Sequence, residues 1–149
     1  MADVFTTEKR SDVMRKIRST DTKPEIKLRK ALHQLGYRYR LHDKRLPGKP
    51  DIVLAKYRTM IQVRGCFWHG HTCHDGHLPK SKLDYWRPKL EGNQMRDQRN
   101  DQLARELGWS VIVVWECECT SITRLEETIA SIVQSLREKQ TSAILHALD

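Results

Sequence analysis

Nine consecutive residues near the middle of the chain, 65–73, read GCFWHGHTC and combine thiol, imidazole and aromatic side chains. Cys66, His71 and Cys73 lie at positions i, i+5 and i+7, close enough for one loop to wrap around a single ion. Cysteine sulfur and histidine nitrogen are the usual ligands of structural zinc, which takes four of them. The segment therefore predicts a zinc site that needs one more ligand from elsewhere in the chain.

The fourth ligand has two main candidates, Cys117 and Cys119, which follow an apolar stretch typical of a strand. If that strand continues through them, both side chains point to the same face, so spacing does not choose between the two. His74 and His77 are further candidates. Three thiolates and one imidazole leave no open coordination position, so we expect a structural ion rather than a catalytic one.

A second kind of chemistry is indicated by Asp51, which follows a proline at the start of a predicted strand. The order of Pro-Asp, hairpin and second strand is the layout of PD-(D/E)xK nucleases, in which two acids hold Mg²⁺ and a lysine handles the attacking water. Gln62 and Arg64 stand where that layout has its second acid and its lysine. Because glutamine is neutral and arginine stays protonated, we expect other residues to complete a catalytic site.

Three residues outside that layout can supply the missing groups. His69 lies in the loop that follows the second strand, and a neutral imidazole accepts a proton from water near neutral pH. Asp97 can orient that imidazole, and Glu25, near a helix N-terminus, can supply a second carboxylate. Since Mg²⁺ keeps several waters and needs only one or two protein carboxylates, Asp51 is sufficient as its anchor.

Flat side chains accompany the predicted metal ligands. Phe67 and Trp68 are neighbours in the glycine-flanked loop, and Trp86 follows further along. Stacking on a base returns about 1–3 kcal/mol, whereas opening a base step costs on the order of a few kcal/mol. A wedge is therefore most favourable where the duplex is already weakened, as at a mismatch. We expect these three rings to contact DNA, and Trp109 and Trp115 to lie in the core.

The distribution of charge points to the same partner. The 149 residues carry a net charge of +8, and residues 1–50, with 14 Lys or Arg against six Asp or Glu, account for all of it. Such a one-sided basic lobe is typical of binding to a phosphate backbone. No apolar stretch reaches the roughly 20 residues of a membrane span and no secretory signal is visible. We therefore expect a cytoplasmic protein with reduced thiols.

Periodicity and turn signals predict the elements that must position these residues. In chain order they are a basic helix over 8–19, a helix that starts around 21–25 and stops at Gly36, a strand over 37–41, hairpin strands over 51–54 and 59–63, a metal-and-aromatic loop over 64–82, a helix over 83–107 interrupted near Gly92, a buried central strand over 109–115, and an amphipathic helix over 123–139. We expect one domain over 1–149, in which 1–20 contacts DNA and 140–149 is a disordered tail. This order predicts an α/β fold with a mixed central sheet flanked by helices.

The residues from Asp51 to Cys73, with Trp86, Arg96-Asp97 and the run VWEC at 114–117, together resemble the very-short-patch-repair (Vsr-like) mismatch endonucleases. The resemblance runs from the N-terminal helix to about residue 138. It implies a PD-(D/E)xK nuclease-like core with a structural zinc site. It also implies a Mg²⁺-dependent enzyme that nicks double-stranded DNA 5′ to the thymine of a T·G mismatch and so initiates very short patch repair.

The same resemblance assigns roles to single residues. It makes Asp51 the Mg²⁺-binding catalytic carboxylate, with the backbone carbonyl of Val63 as a further ligand. It makes His69 the general base, Asp97 its partner, and Glu25 a supporting acid near the phosphate. The zinc ligands that it implies are Cys66, His71, Cys73 and Cys117, which decides against Cys119.

The DNA contacts implied by the resemblance are a major-groove wedge and a minor-groove helix. The wedge consists of Phe67, Trp68 and Trp86, and the helix contributes Met14 and Ile17. Arg64 departs from the family, which more often has His or Asp there; beside the proposed metal it would bind phosphate, repel a second Mg²⁺ or read a base. We expect a monomer that acts on mismatched DNA, followed by other mismatch-repair proteins.

Two rival functions remain open at the level of sequence, because Gln62 and Arg64 depart from the family. One is a zinc-stabilised mismatch-binding module whose catalytic centre is impaired. The other is a restriction-type nuclease of the same fold, which would cut matched duplexes as readily as mismatched ones.

Overall fold

A computed structural model describes residues 20–148, which form a four-stranded sheet and three α-helices. The strands are β1 (Arg40–Leu41), β2 (Ile52–Leu54), β3 (Thr59–Arg64) and β4 (Ser110–Trp115), and the helices are α1 (Lys23–Gln34), α2 (Leu83–Glu106) and α3 (Ile122–Leu148). The sheet order is β1-β2-β3-β4, antiparallel up to β3 and parallel between β3 and β4. The prediction of a mixed sheet with helices is confirmed. The predicted basic helix with Met14 and Ile17 lies outside the described residues.

Helix α1 begins at a capping box. The Thr22 backbone N–H donates to Glu25 Oε2 over 3.0 Å, and the Thr22 hydroxyl accepts from the Glu25 backbone N–H. This exchange satisfies two N–H groups that have no partner inside the helix. The helix buries Leu28 and Leu32 completely, and Gly36, at φ +92°, turns the chain after it. The start and the stop of this helix are as predicted.

The β2–β3 hairpin places Asp51 beside the end of β3. Ile52 pairs with Ile61 and Leu54 with Thr59, so the residue before β2 lies opposite the last residues of β3. A 3-10 turn over Ala55–Tyr57 closes the hairpin. The hairpin is confirmed, whereas the strand predicted over 37–41 is reduced to the two residues of β1.

Parallel pairing of β3 with β4 fixes the other side of the site. Val63 pairs with Val114 and Arg64 with Trp115, so both strands end at the same edge of the sheet. A parallel pair needs a long crossover connection, and here the loop after β3 and helix α2 provide it. The loop with the thiols and aromatic rings therefore begins next to the end of β4.

The two faces of the sheet differ in character. One face packs against α1 and α3 and forms the apolar core, whose buried members are Leu28, Leu32, Ile52, Leu54, Ile61, Val114, Cys119, Ile129, Ile132 and Leu136. The opposite face of β3 carries Met60, Gln62 and Arg64 in alternation, and an ion pair joins Arg64 to α2. The polar face of β3 is thus the one that turns toward the predicted site.

The prediction of a buried central strand over 109–115 is wrong for β4. It is the last strand in the sheet order of the described residues, and only Val114 in it is fully buried. Trp109 and Trp115, predicted to be core residues, are only partly buried. The Arg58 guanidinium covers the Trp109 ring at 4.8 Å. Residues 111–115 are apolar, and their side chains alternate between two partly covered faces of the sheet. A sequence pattern does not distinguish this arrangement from a strand that is buried in the centre of a sheet.

Two helix boundaries also differ from the predictions. Helix α2 runs without a break through Gly92, because a glycine in a helix interior costs only about 1 kcal/mol relative to alanine. Helix α3 does not stop near residue 139 but continues to Leu148. Residues 140–148 contain no glycine or proline that would end it. Between residues 20 and 148, no helix is both long and apolar enough to span a membrane.

Candidate active site and metal centre

A cleft of about 280 Å³ lies where β3 ends and α2 crosses its polar face. Its walls come from the turn before β2, the end of β3, the following loop and the middle of α2. The residues that line it are Thr20, Gly48, Lys49, Asp51, Gln62, Val63, Arg64, His69, Arg96, Asp97 and Asn100. The structure thus brings Asp51, Val63, His69 and Asp97, predicted from separate segments, into one cavity.

Asp51 is the partly buried carboxylate of this cleft. Its Oδ2 accepts a 2.7 Å hydrogen bond from the backbone N–H of Val63. Its carboxylate lies within 4.8 Å of potential ligand atoms of Glu25 and His42. Burial, and then the negative charge of Glu25, raise the pKa of Asp51 to about 7 against the opposing effect of the Val63 N–H. Two carboxylates that share a poorly solvated space fit a divalent cation, which would balance their charge.

Glu25 is held rigidly beside Asp51. It is buried, its Oε2 takes part in the capping box of α1, and its Oε1 lies 2.8 Å from His42 Nε2. His42 was not predicted as a site residue. It follows β1, and its backbone N–H donates to the Asp51 carbonyl over 3.2 Å. Only the pairing of β1 with β2 places it there, so no local sequence signal marks it.

His69 is oriented by α2. Its Nδ1 lies 2.6 Å from Asp97 Oδ2, and its side chain is about one-third exposed to the cleft. The carboxylate favours the tautomer in which Nδ1 carries the proton, so Nε2 keeps a lone pair. The loop backbone is also tied to α2, because Asn93 donates to the Trp68 carbonyl over 2.9 Å and Gln94 donates to the Gly70 carbonyl. This is the geometry of a general base with an orienting acid.

Arg64 has a different environment from the one predicted. Its side chain is only 10% exposed, its guanidinium donates to Asp101 Oδ1 over 2.7 Å, and its Nε lies 3.8 Å from Asp97 Oδ2. The guanidinium lines the cleft but is already paired with protein carboxylates. A primary role as a contact to phosphate or base is therefore not supported, and Asp101 is a second site residue that the sequence did not reveal.

Four sulfur and nitrogen ligands converge beside this cleft. The ligand atoms of Cys66, His71, Cys73 and Cys117 all lie within 4.8 Å of one another, and Cys117 Sγ is 3.6 Å from His71 Nδ1. Ligands of tetrahedral zinc at ordinary bond lengths lie about 3.5–3.8 Å apart, so the cluster is compatible with a zinc ion. Burial raises the pKa of the Cys66 thiol to about 12 in the metal-free site, and a bound cation would favour the thiolate.

The choice between Cys117 and Cys119 follows from the backbone. Strand β4 ends at Trp115, and residues Glu116–Cys119 form a 3-10 turn instead of continuing as a strand. The two thiols therefore do not share a face. Cys119 is buried in the apolar core, while Cys117 joins the cluster. Among the described residues, His74 and His77 do not belong to this cluster.

The three predicted wedge residues form one aromatic cluster. The centroid of the Phe67 ring lies 5.2 Å from the ring centroids of both Trp68 and Trp86, and the centroids of the two indole rings are 5.9 Å apart. All three pairs are edge-to-face. Phe67 and Trp68 are partly exposed, whereas Trp86 is only 8% exposed. The first two rings are thus accessible to a ligand, and Trp86 supports them from beneath.

Comparison with known proteins identifies the family of this chain. The family described as "DNA mismatch endonuclease Vsr" matches residues 2–75. The DNA mismatch endonuclease Vsr of Escherichia coli (strain K12) is 42% identical over 117 residues, 78% of this chain and 75% of its own length. The chain belongs to the Vsr family of DNA mismatch endonucleases.

Relatives with nearly complete overlap carry a related description. The type II nicking enzyme V.NmeAIP of Neisseria meningitidis serogroup A is 49% identical over 138 residues, 93% of this chain and 99% of its own length. The type II nicking enzyme V.XorIIP of Xanthomonas oryzae pv. oryzae is 49% identical over 133 residues, 89% of this chain and 98% of its own length. The predicted family and the prediction of an enzyme are confirmed.

The raised pKa of Asp51 in this Vsr-family enzyme yields a prediction about stability. Its pKa rises from 3.8 to about 7 on folding, so the metal-free folded state retains a proton that the unfolded chain releases. Stability from this group is present below pH 3.8 and is lost as the pH rises to about 7. Asp51→Asn keeps an acceptor for Val63 and removes one charge. We expect its melting temperature at about pH 8, without Mg²⁺, to rise by about 3–6 °C.

The measurement is thermal unfolding of the purified protein across a pH series without added Mg²⁺. The gain should shrink toward acidic pH, where Asp51 of the wild type is protonated. Asp84→Asn is the matched control, because Asp84 is exposed in the first turn of α2 and its replacement should bring no gain. A lower melting temperature for Asp51→Asn at alkaline pH would contradict the repulsion between Asp51 and Glu25.

Proposed function

We propose that this protein is a Mg²⁺-dependent, strand-nicking endonuclease that recognises T·G mismatches in double-stranded DNA and cuts 5′ to the mismatched thymine. The observation that carries the proposal is that Asp51 and the His69–Asp97 pair line one cleft. The loop that carries His69 also carries the partly exposed rings of Phe67 and Trp68. A relative named as a mismatch endonuclease and others named as nicking enzymes support the choice of substrate and of single-strand cleavage.

The reaction in this proposal is hydrolysis of one phosphodiester bond. Asp51 and the Val63 backbone carbonyl would hold Mg²⁺, with Glu25 as a supporting acid close to Asp51. Bound Mg²⁺ would polarise the phosphoryl group and lower the pKa of the attacking water. His69 Nε2 accepts the proton of that water, and Asp97 stabilises the imidazolium that results. The water oxygen bonds to phosphorus as the bond to the leaving oxygen breaks.

Gln62 and Arg64 need not impair catalysis in this scheme. The Gln62 side-chain amide donates to the Gly48 carbonyl over 3.3 Å, which ties the turn before Asp51 to β3. The second carboxylate comes from Glu25 and the base from His69, so neither Gln62 nor Arg64 has to act as acid or base. This favours an active nuclease over a mismatch-binding module.

Recognition of the mismatch is assigned to the partly exposed rings of Phe67 and Trp68. Phe67 and Trp68 would insert in the major groove, and Trp86 would support them. Lys49 and Arg96 line the cleft and are suited to contact phosphate groups. The minor-groove approach of Met14 and Ile17 stays a prediction from sequence.

The proposed zinc ion is structural. Cys66 and Cys73 belong to the loop after β3 and Cys117 to the turn after β4, so one ion would join these two segments. His71 supports the same site, because its ring stacks on Trp115 at 4.2 Å with an angle of 13° between the planes. The ion would keep the loop that carries His69 in place and take no part in the reaction.

The main test is nicking of labelled duplexes that contain a T·G mismatch or the matched pair in varied flanking sequences. We expect one cut, 5′ to the mismatched thymine, only with Mg²⁺ and only in the mismatched duplex. His69→Ala should slow it about 100- to 10,000-fold, the usual contribution of a general base, and Asp51→Asn should abolish it. His33→Ala is the control, since His33 is an exposed histidine on α1 outside the cleft.

Two results of this assay would overturn the proposal. Equal cutting of matched duplexes would identify a restriction-type nuclease. Binding of the mismatch without any cutting by the wild type, in every flanking sequence tried, would identify a binding module.

Metal analysis tests the zinc site with a matched pair of cysteines. Cys117→Ala should lose the bound zinc and destabilise the loop, because a three-ligand site is open to water. Cys119→Ala removes a thiol two residues away that lies in the core, and we expect it to keep one zinc per chain. Atomic absorption on the purified proteins decides, and zinc retained by Cys117→Ala would refute the ligand set.

The wedge is tested by two substitutions of one ring. Loss of about 1–3 kcal/mol of stacking corresponds to roughly 5- to 150-fold, so Trp68→Ala should reduce the preference for T·G over matched duplex by that factor. Trp68→Phe keeps a flat ring and should retain most of the preference. The readout is the ratio of dissociation constants for the two duplexes, and an unchanged ratio in Trp68→Ala would exclude the wedge.

A further inference from the structure

Four polar side chains, those of Asp101, Arg64, Asp97 and His69, form a continuous series between β3, its following loop and α2. Asp101 Oδ1 accepts from the Arg64 guanidinium over 2.7 Å, Arg64 Nε lies 3.8 Å from Asp97 Oδ2, and that same Oδ2 lies 2.6 Å from His69 Nδ1. One carboxylate oxygen of Asp97 is therefore shared between the imidazole and the guanidinium. Neither Arg64 nor Asp101 has a role in the proposed reaction.

The position of the guanidinium follows from its two acidic neighbours. Asp97 and Asp101 are four residues apart on α2, so they lie on the same helix face and would repel each other. Both Arg64 and Asp101 are 9% exposed, which means that water compensates these charges poorly. Removing one partner of such a buried pair leaves an uncompensated charge. Arg64 is thus required where it is, and Asp101 anchors it.

The anchored guanidinium limits where the Asp97 carboxylate can move. Arg64 is the last residue of β3, directly before the loop that carries His69. The guanidinium of Arg64 is planar, always charged and has several fixed donors. It can therefore attract the Asp97 carboxylate on one side while Asp101 holds the guanidinium on the other. Asp97 in turn fixes the ring of His69.

We propose that Arg64, held by Asp101, is a positioning residue that orients Asp97 and thereby His69. The inference rests on the proposed function only in taking His69 as the base. It gives Arg64, which cannot itself replace the lysine of the PD-(D/E)xK layout, an indirect role in activating water. Direct contact with DNA is the competing role for Arg64. The low exposure of Arg64 and its hydrogen bond to Asp101 argue against that role.

Single-turnover nicking of the T·G duplex separates the two roles. Arg64→Ala and Asp101→Asn should each slow cleavage at saturating enzyme about 10- to 100-fold, the scale known for removing a group that orients a metal ligand. The dissociation constant for the duplex should stay unchanged. A weaker affinity with an unchanged cleavage rate would make Arg64 a DNA contact and overturn the proposal.

A packing control distinguishes positioning from loss of stability. Met60 is buried on the same face of β3 as Arg64, four residues earlier. Met60→Ala should lower the melting temperature without slowing cleavage well below that temperature. If Met60→Ala slows cleavage as much as Arg64→Ala at equal loss of stability, the effect is structural and the proposal fails.

Chemical rescue supplies a second readout. Millimolar methylguanidinium should restore part of the cleavage rate of Arg64→Ala, because Arg64 borders the open cleft, and equal sodium chloride should not. The double variant Arg64→Ala, Asp101→Asn lacks the anchor and should not be rescued. Absence of any rescue in Arg64→Ala would count against positioning by the guanidinium.

The ring-nitrogen NMR signals of His69 keep this inference distinct from the proposed function. If the wild type nicks no T·G duplex, the function fails, yet the Nδ1 proton of His69 still reports its orientation. That proton should be protected from exchange in the wild type and unprotected in Arg64→Ala. Identical protection in both proteins would overturn the role of Arg64 irrespective of nicking.

Discussion

The parallel pairing of β3 with β4 is the constraint on which the site depends. The register of this pairing, in which Val63 lies opposite Val114 and Arg64 opposite Trp115, brings the ends of both strands to one edge of the sheet. The chain leaves that edge through the loop of thiols and rings, crosses through α2 to the start of β4, and returns to the same edge along β4. A one-residue slip would invert the faces of β4 and move the turn that carries Cys117 away from Cys66. The metal cluster and the cleft therefore share one structural origin, and the backbone ladder is what keeps them adjacent.

The second feature is a group of four acids in a protein with a net charge of +8. Asp51 and Asp97 line the cleft, Glu25 lies beside Asp51, and Asp101 is paired with Arg64. Three have protein partners: the α1 cap and His42 hold Glu25, and Arg64 lies between the two aspartates of α2. Asp51 accepts a hydrogen bond from a backbone N–H and lies near His42, yet burial still raises its pKa to about 7. The one poorly compensated carboxylate is thus the residue proposed to anchor Mg²⁺.

Sequence reasoning succeeded where the physical cause is local. The capping box that starts α1, the glycine after it and the β2–β3 hairpin are set by neighbouring residues, and three of the four clustered ligands lie within eight positions. It failed where the cause is the register of distant segments. His42 reaches Glu25 and Asp51 only through β1–β2 pairing, and Asp101 reaches Arg64 only through β3–α2 packing. The 3-10 turn after Trp115, which separates Cys117 from Cys119, has no clear signal. The apolar run before that turn is predicted to be central but is only partly buried, since neighbouring strands, not residue types, decide burial.

The loop between β3 and α2 carries the proposed base, two of the proposed wedge rings and three of the clustered metal ligands within eight residues. Trp68 and His69 are consecutive, and α2 contacts both, through Asn93 at the Trp68 carbonyl and through Asp97 at the His69 ring. Zinc bound at the Cys–His cluster would hold the same loop from its other side. Such a segment has little freedom to move one residue without the other, because each hydrogen bond to α2 adds a fixed point. The composition of helix α2 is that of a polar surface helix. It is nevertheless the element that holds both the proposed base, His69, and the proposed wedge residue Trp68 in position.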